Sequence, residues 1–141
     1  MARVALRFRV DFANGFSVGP GKIELLRAIE KHGSLSEAAR SIGLSYRRAW
    51  LLVKDLNNTF AKPITISMVG GRSGGGAYVT PLGKMLISAY EQVDRYYREH
   101  ASAHLAELVS MLSAVKRPAT SKPRLRPVNR VRRARSQPKA V

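Results

Sequence analysis

A chain of 141 residues, 45% of them apolar, is long enough for one core-bearing domain with an appended segment. Its 25 Lys and Arg against 9 Asp and Glu, a formal net charge of +16, point to a polyanionic partner: nucleic acid or an anionic membrane surface. The lack of cysteine excludes disulfides and thiolate metal sites, and no apolar run approaches the ~18 residues that span a bilayer.

The first residues, "MARVALRFRV", alternate charge with apolarity and contain no signal-peptide core, which suggests a cytoplasmic protein. Val4, Leu6, Phe8, Val10 and Phe12 fall on one side of a period of two, with Arg3, Arg7, Arg9 and Asp11 on the other. That pattern predicts a half-buried N-terminal strand. "ANGFSVGPG" then reads as a loop, with Asn14-Gly15 and Pro20-Gly21 as turn signals.

Three short helices follow. "KIELLRAIEKHG" places Ile23, Leu26 and Ile29 on one face, and Gly33 is a C-terminal stop with His32 just before it. "SLSEAARSIG" opens on Ser34 with Glu37 three residues later, the pattern of a capping box, and closes at Gly43. The third, "SYRRAWLLVKDLNNTF", has Ser45 as its cap. A very short glycine-containing turn between the second and third helices is the helix-turn-helix signature.

After Pro63, "ITISMV" and "AYVT" read as two strands around a loop rich in glycine (Gly70, Gly71, Gly74, Gly75, Gly76) that carries Arg72. From Pro81 a long helix runs to about residue 113. Leu82, Leu86, Ala89, Val93 and Tyr96 form a coiled-coil-like seam on it, and Ala101, Leu105, Leu108, Leu112 and Val115 a second in a new register. The order predicts an α+β winged helix-turn-helix with an N-terminal strand, a two-stranded glycine-rich wing and a long C-terminal dimerisation helix. Residues 1–115 make the domain. Residues 116–141 hold ten Lys and Arg, four prolines and no acid, the composition of a disordered basic tail.

The glycine loop fits a wing better than a nucleotide site. A P-loop needs G-x-x-x-x-G-K-[ST] between a strand and a helix. The wing glycines run into a strand. In "GFSVGPGKI", Gly15 is one place from where the first glycine belongs, and Ile23 stands where Ser or Thr is required. In a wing, the backbone amides of the loop meet phosphates and Arg72 enters a narrow minor groove. An exposed hairpin tip without a contact is the competing reading.

At about 100° per residue, Ala49, Leu52, Val53, Leu56 and Phe60 share one side of the third helix, and Tyr46, Arg47, Trp50 and Lys54 the opposite side. Such a face suits recognition: Arg47 pairs with guanine O6 and N7, and Lys54 meets a phosphate. Packing against the wing or a partner helix is the alternative for Trp50, and simple solvation for Arg48. The DNA-binding set is therefore Ser45, Tyr46, Arg47, Arg48, Trp50, Lys54 and Arg72, with Ser34 and Ser36 at the start of the second helix.

His100 and His104 lie four apart near Glu107, but the glutamate of H-E-x-x-H is absent, so a surface or seam role is expected and no metal. No catalytic set appears in a credible frame. The expectation is a non-enzyme without cofactor or small-molecule site, partnered by double-stranded DNA and by a second copy of itself, and not by a membrane. A nucleoid-compacting protein without sequence choice is the alternative; an RNA binder is disfavoured, because the strand aromatics fall on the buried side.

At "LSYRRAWLLVKDLN" and "GGRSGGGAYVTPLG" the chain resembles the N-terminal DNA-binding domain of the ModE family of molybdate-responsive transcriptional regulators, itself related to that of LysR-type regulators. The match extends over most of residues 3–100. The resemblance implies a dimeric winged helix-turn-helix that reads a palindromic operator through the third helix and wing. In the full-length regulators oxyanion-binding modules follow this domain, whereas the basic segment follows here, so a molybdate-sensing domain of its own is not expected.

Overall fold

The computed structural model describes residues 4–68 and 76–118. Arg72, most of the glycine loop and the tail beyond 118 lie outside the described residues. The chain divides after Met111 into two units, Met1–Met111 and Leu112–Val141, and all the described helices and strands belong to the first. In order these are β1 (Val10–Asp11), β2 (Ser17–Val18), α1 (Pro20–His32), α2 (Leu35–Ser41), α3 (Tyr46–Thr59), β3 (Thr65–Met68), β4 (Gly76–Val79) and α4 (Pro81–Ser110). β1 pairs antiparallel with β2 and β3 with β4, giving two small sheets in a winged-helix-like α+β fold.

The N-terminal segment keeps its alternation but makes less strand than expected. Leu6, Phe8, Val10 and Phe12 are half-buried and Ala5, Arg7, Arg9 and Asp11 exposed, yet only Val10 and Asp11 join a ladder. Side chains hold the rest: the Phe8 ring stacks on Tyr90 of α4 at 4.4 Å, and the Tyr90 hydroxyl donates to the Phe8 carbonyl at 2.7 Å. The stretch after it is also more ordered than a loop. It contains β2, and Pro20 is the first residue of α1 rather than part of a turn, a position where its missing N–H costs little.

The ends of the helices follow their capping chemistry. Gly33 adopts φ 68° and donates to the Ile29 carbonyl, closing α1 in a left-handed cap. The Ser34 hydroxyl accepts from the Glu37 amide at the start of α2. Gly43, at φ 71°, turns the chain between α2 and α3. Ala38 and Ala39, both essentially inaccessible, let α2 pack close under α1. Leu25, Leu26, Ile29, Leu56 and Ile64 fill the centre.

On α4 the core face is Leu82, Gly83, Leu86, Ile87 and Tyr90. Of the first seam, Leu82 and Leu86 join the core, whereas Ala89, Val93 and Tyr96 are exposed. The helix ends at Ser110 rather than near 113. At its start, Thr80 accepts from the Gly83 amide and donates toward the carbonyls of Pro63 and Ile64. A Cβ on Gly83 would lie 2.5 Å from the Ile64 oxygen and from Val79 Cγ1. The close approach of α4 to the base of the β3–β4 hairpin therefore demands glycine.

Two outcomes follow from this packing. In an open helix Gly83→Ala would be worth about 1 kcal/mol in favour of alanine; here the clash reverses the sign, and thermal unfolding followed by circular dichroism will show a loss of about 1–3 kcal/mol. A rise in Tm would contradict the close approach. For Tyr90, burial first and the Asp94 charge second push the phenol above its ordinary value, with Arg98 opposing. The folded state thus holds the proton more tightly than the unfolded chain, and this stabilisation is complete below about pH 10 and lost as pH rises through the folded pKa. In urea titrations Tyr90→Phe will cost about 1 kcal/mol at pH 7 through its lost hydrogen bond, and the gap to the wild type will narrow above about pH 10.

Candidate nucleic-acid interface

The candidate interface is built on α3. Its back is sunk into the core through Ala49 and Leu56, with Leu52, Val53 and Phe60 packed alongside. Burial of that stripe fixes which residues face outward. Tyr46 is 58% exposed and Trp50 46%, and Arg47, Arg48 and Lys54 are also exposed. The Lys54 ammonium lies 5.4 Å from the centre of the Trp50 ring, one turn away, in cation–π range. Tyr46, Arg47, Trp50 and Lys54 lie along one exposed helix flank, and Arg48 stands further round, on the side of Lys22. The only carboxylate on α3, Asp55, stands 3.8 Å from the Lys22 ammonium.

At the N-terminal end of α3 the Ser45 hydroxyl accepts from the Arg48 amide at 3.1 Å. This satisfies one of the free N–H groups at a helix start; the others, together with the positive end of the helix dipole, favour an anion. Ser34 and Ser36 sit together at the start of α2, their hydroxyls 3.3 Å apart, and among the described residues no hydrogen bond links them to the α3 ridge.

The C-terminal half of α3 is tied down by polar groups that periodicity did not single out. The Asn14 amide donates to the Thr59 carbonyl at 2.8 Å, joining the helix end to the β1–β2 turn. Asn57 Oδ1 accepts from the amides of Ile64 and Thr65 at 2.9 and 3.0 Å. Lys22, the lysine of the failed P-loop match, is instead structural. Its largely buried ammonium donates to the Ser17 carbonyl at 2.7 Å and faces Asp55. Burial lowers its pKa against the opposing pull of Asp55, and the Arg48 charge lowers it further.

The β3–β4 hairpin flanks this arrangement. Thr65, Ala77 and Val79 point inward, while Ile66, Met68 and Tyr78 are exposed, with Ile66 directly opposite Tyr78. The Ala77 amide donates to the Gly33 carbonyl at 2.9 Å, fastening the hairpin to the α1–α2 junction. Elsewhere, a cleft of about 380 Å³ beside the N-terminal segment is lined by Arg7, Glu24, Arg27, Asp94 and Arg98 among others. Its charges are largely spoken for: Arg27 pairs with Glu91 of α4, and Arg98 with Asp94 at 2.7 Å. His100 stacks on Tyr96 at 4.1 Å, and no group of three or more potential metal ligands lies together among the described residues. No described helix is long and apolar enough to cross a membrane.

Over 80 residues, 57% of this chain, the sequence is 45% identical to the molybdenum-pterin-binding protein MopB of Rhodobacter capsulatus. It is 33% identical over 96 residues to the molybdenum transport protein ModE of Azotobacter vinelandii, covering 68% of this chain. The chain is a homologue of the ModE proteins. It is also 36% identical over 72 residues, 51% of this chain, to the DNA-binding transcriptional dual regulator ModE of Escherichia coli K12. The matches cover 30%, 36% and 28% of these three relatives, so the chain spans about a third of the length of the curated relatives it matches. No family model matches it.

Ser45 caps α3 and is expected from the sequence to face DNA, and a pair of variants separates the two. Ser45→Ala removes the cap and will lower stability by about 1 kcal/mol. Ser45→Asp, an equally good cap, will restore stability while placing a carboxylate on the exposed ridge; duplex-DNA affinity measured by fluorescence anisotropy will then fall below that of the alanine variant. Equal affinities would remove Ser45 from the DNA-facing set.

Proposed function

We propose that the chain is a sequence-specific DNA-binding transcriptional regulator that inserts α3 into the major groove and lays the hairpin loop of residues 70–76 along the backbone or minor groove. The observation that carries this is the exposed ridge of Tyr46, Arg47, Trp50 and Lys54 on a helix whose opposite side is core. A core-packed helix is rigid enough to present side chains in register with base edges, and the ridge carries no carboxylate to repel phosphates. Arg47, in the first turn, has the bidentate geometry for guanine O6 and N7, and Lys54, two turns on, for a phosphate. The ModE homologues support the same reading, since one is named a DNA-binding transcriptional dual regulator.

The active form in this proposal is a homodimer joined through α4. Val93 and Tyr96 are exposed on it, beyond the turns whose Leu82, Leu86, Ile87 and Tyr90 pack on the core. Two copies of α3 then stand about 34 Å apart, one turn of duplex. The ten cations of residues 116–141 add affinity that is independent of sequence and steeply dependent on salt.

Selection of bound sites from random duplex DNA tests the proposal. The expected result is a palindrome with half-sites one helical turn apart. Arg47→Ala will relax base preference at one position in each half-site by about 1–3 kcal/mol. Lys54→Ala will weaken all sequences alike and lower the salt slope by about 1. Recovery of no preferred sequence, with affinity still strongly dependent on salt, would replace the regulator by a nucleoid-compacting protein.

A further inference from the structure

We infer that Asn57 is the positioning residue that holds the β3–β4 hairpin at a fixed place relative to α3, so that the helix and the paired strands meet one duplex as a single unit. This rests on the DNA-reading proposal above. Asn57 is half-buried in the last turn of α3, far from Tyr46 and Arg47, and among the described residues it hydrogen-bonds to no candidate DNA contact. Its carboxamide makes three hydrogen bonds. Oδ1 accepts from two consecutive amides, Ile64 at 2.9 Å and Thr65 at 3.0 Å, and Nδ2 donates to Thr65 Oγ1 at 3.3 Å. Among the described residues no other side chain of α3 hydrogen-bonds to Ile64 or β3.

The peptide units so held form the root of the hairpin. Thr65 opens β3 opposite Val79, and the Ile64 carbonyl receives the amide and hydroxyl of Thr80, which caps α4. From the Thr65–Val79 pair to the Met68–Gly76 pair the hairpin advances about 10 Å at the usual rise of a strand. A tilt of about 10° at the root therefore moves the far end by about 2 Å, enough to break hydrogen bonds to phosphates. Only residues 60–64 join α3 to β3, and Pro63 removes one donor from that link. A single side chain with one acceptor oxygen for two amides and one donor for a hydroxyl meets the requirement. Aspartate supplies the acceptor without the donor, and alanine neither.

The test compares wild type, Asn57→Ala and Asn57→Asp, first without DNA and then on the duplex recovered by selection. Alanine favours the helix and leaves room for water at the two amides, so the variant is expected to fold. In the free protein, amide exchange at Ile64, Thr65 and the hairpin ladder will rise at least tenfold in Asn57→Ala, while Leu26, Ile29 and Leu56 keep their protection. Asn57→Asp will recover most of the lost protection at Ile64 and Thr65. On the duplex, Asn57→Ala will lose the hydroxyl-radical footprint flanking each half-site but keep guanine methylation interference within it, and Asn57→Asp will regain the flank.

Unchanged exchange at Ile64 and Thr65 would overturn the inference. So would a uniform rise across the whole domain or a failure of Asn57→Ala to fold, since either makes Asn57 a general stabiliser. Loss of the methylation pattern together with the flanking footprint would also overturn it. If the wild type recovers no preferred duplex, the DNA reading fails on its own, and the exchange measurements on the free protein still decide whether Asn57 holds the hairpin.

Discussion

The buried backbone of Ile64 joins the parts of this molecule that would otherwise be separate. Its side chain is inaccessible, its N–H is taken by Asn57 of α3, and its carbonyl is taken by Thr80 at the head of α4. Buried backbone groups without partners are costly, so both elements are bound to this residue by the need to satisfy it. The missing Cβ of Gly83 follows from the same crowding: the Ile64 oxygen occupies the space a larger residue would need. One residue thus relates the helix with the exposed ridge, the hairpin and the long helix.

The same economy shapes α3. Its C-terminal half is anchored by polar groups, Asn14 on Thr59, Asn57 on the hairpin root, and Asp55 facing Lys22. Its N-terminal half has the serine cap and the core stripe behind it, and there Tyr46, Arg47, Arg48 and Trp50 are exposed, with Lys54 one turn beyond Trp50. Among the described residues Tyr46, Arg47 and Trp50 make no side-chain hydrogen bond, so on the proposed reading a duplex would have none to break there.

Much of this was legible in the residues because it depends on local chemistry. The serines at 34 and 45, the glycines at 33 and 43 and the proline at 81 mark helix ends through bonds to nearby amides or through backbone angles, and each stands where its type predicts. The 3.6-residue stripe of α3 placed its exposed face correctly. The extent of the N-terminal strand was not legible, because period-two alternation reports which side chains are buried and not whether the backbone finds a ladder partner; here an aromatic stack and a tyrosine hydroxyl hold the segment instead. Asn14, Asn57 and Lys22 were silent for another reason: a side chain bonding to a backbone group distant along the chain, or across a loop, leaves no periodic trace.

The bond from Ala77 to the carbonyl of Gly33 has a consequence for behaviour in concentrated solution. An outward-facing N–H at the rim of a small sheet is an invitation to a stray strand from another molecule, more so beside apolar side chains such as Ile66, Met68 and Tyr78. Here that donor is already occupied by the Gly33 carbonyl at the end of α1, which blocks the β4 rim at Ala77. The approach to the β3 rim is flanked by a lysine at 62 and a proline at 63, residues that discourage strand-on-strand association.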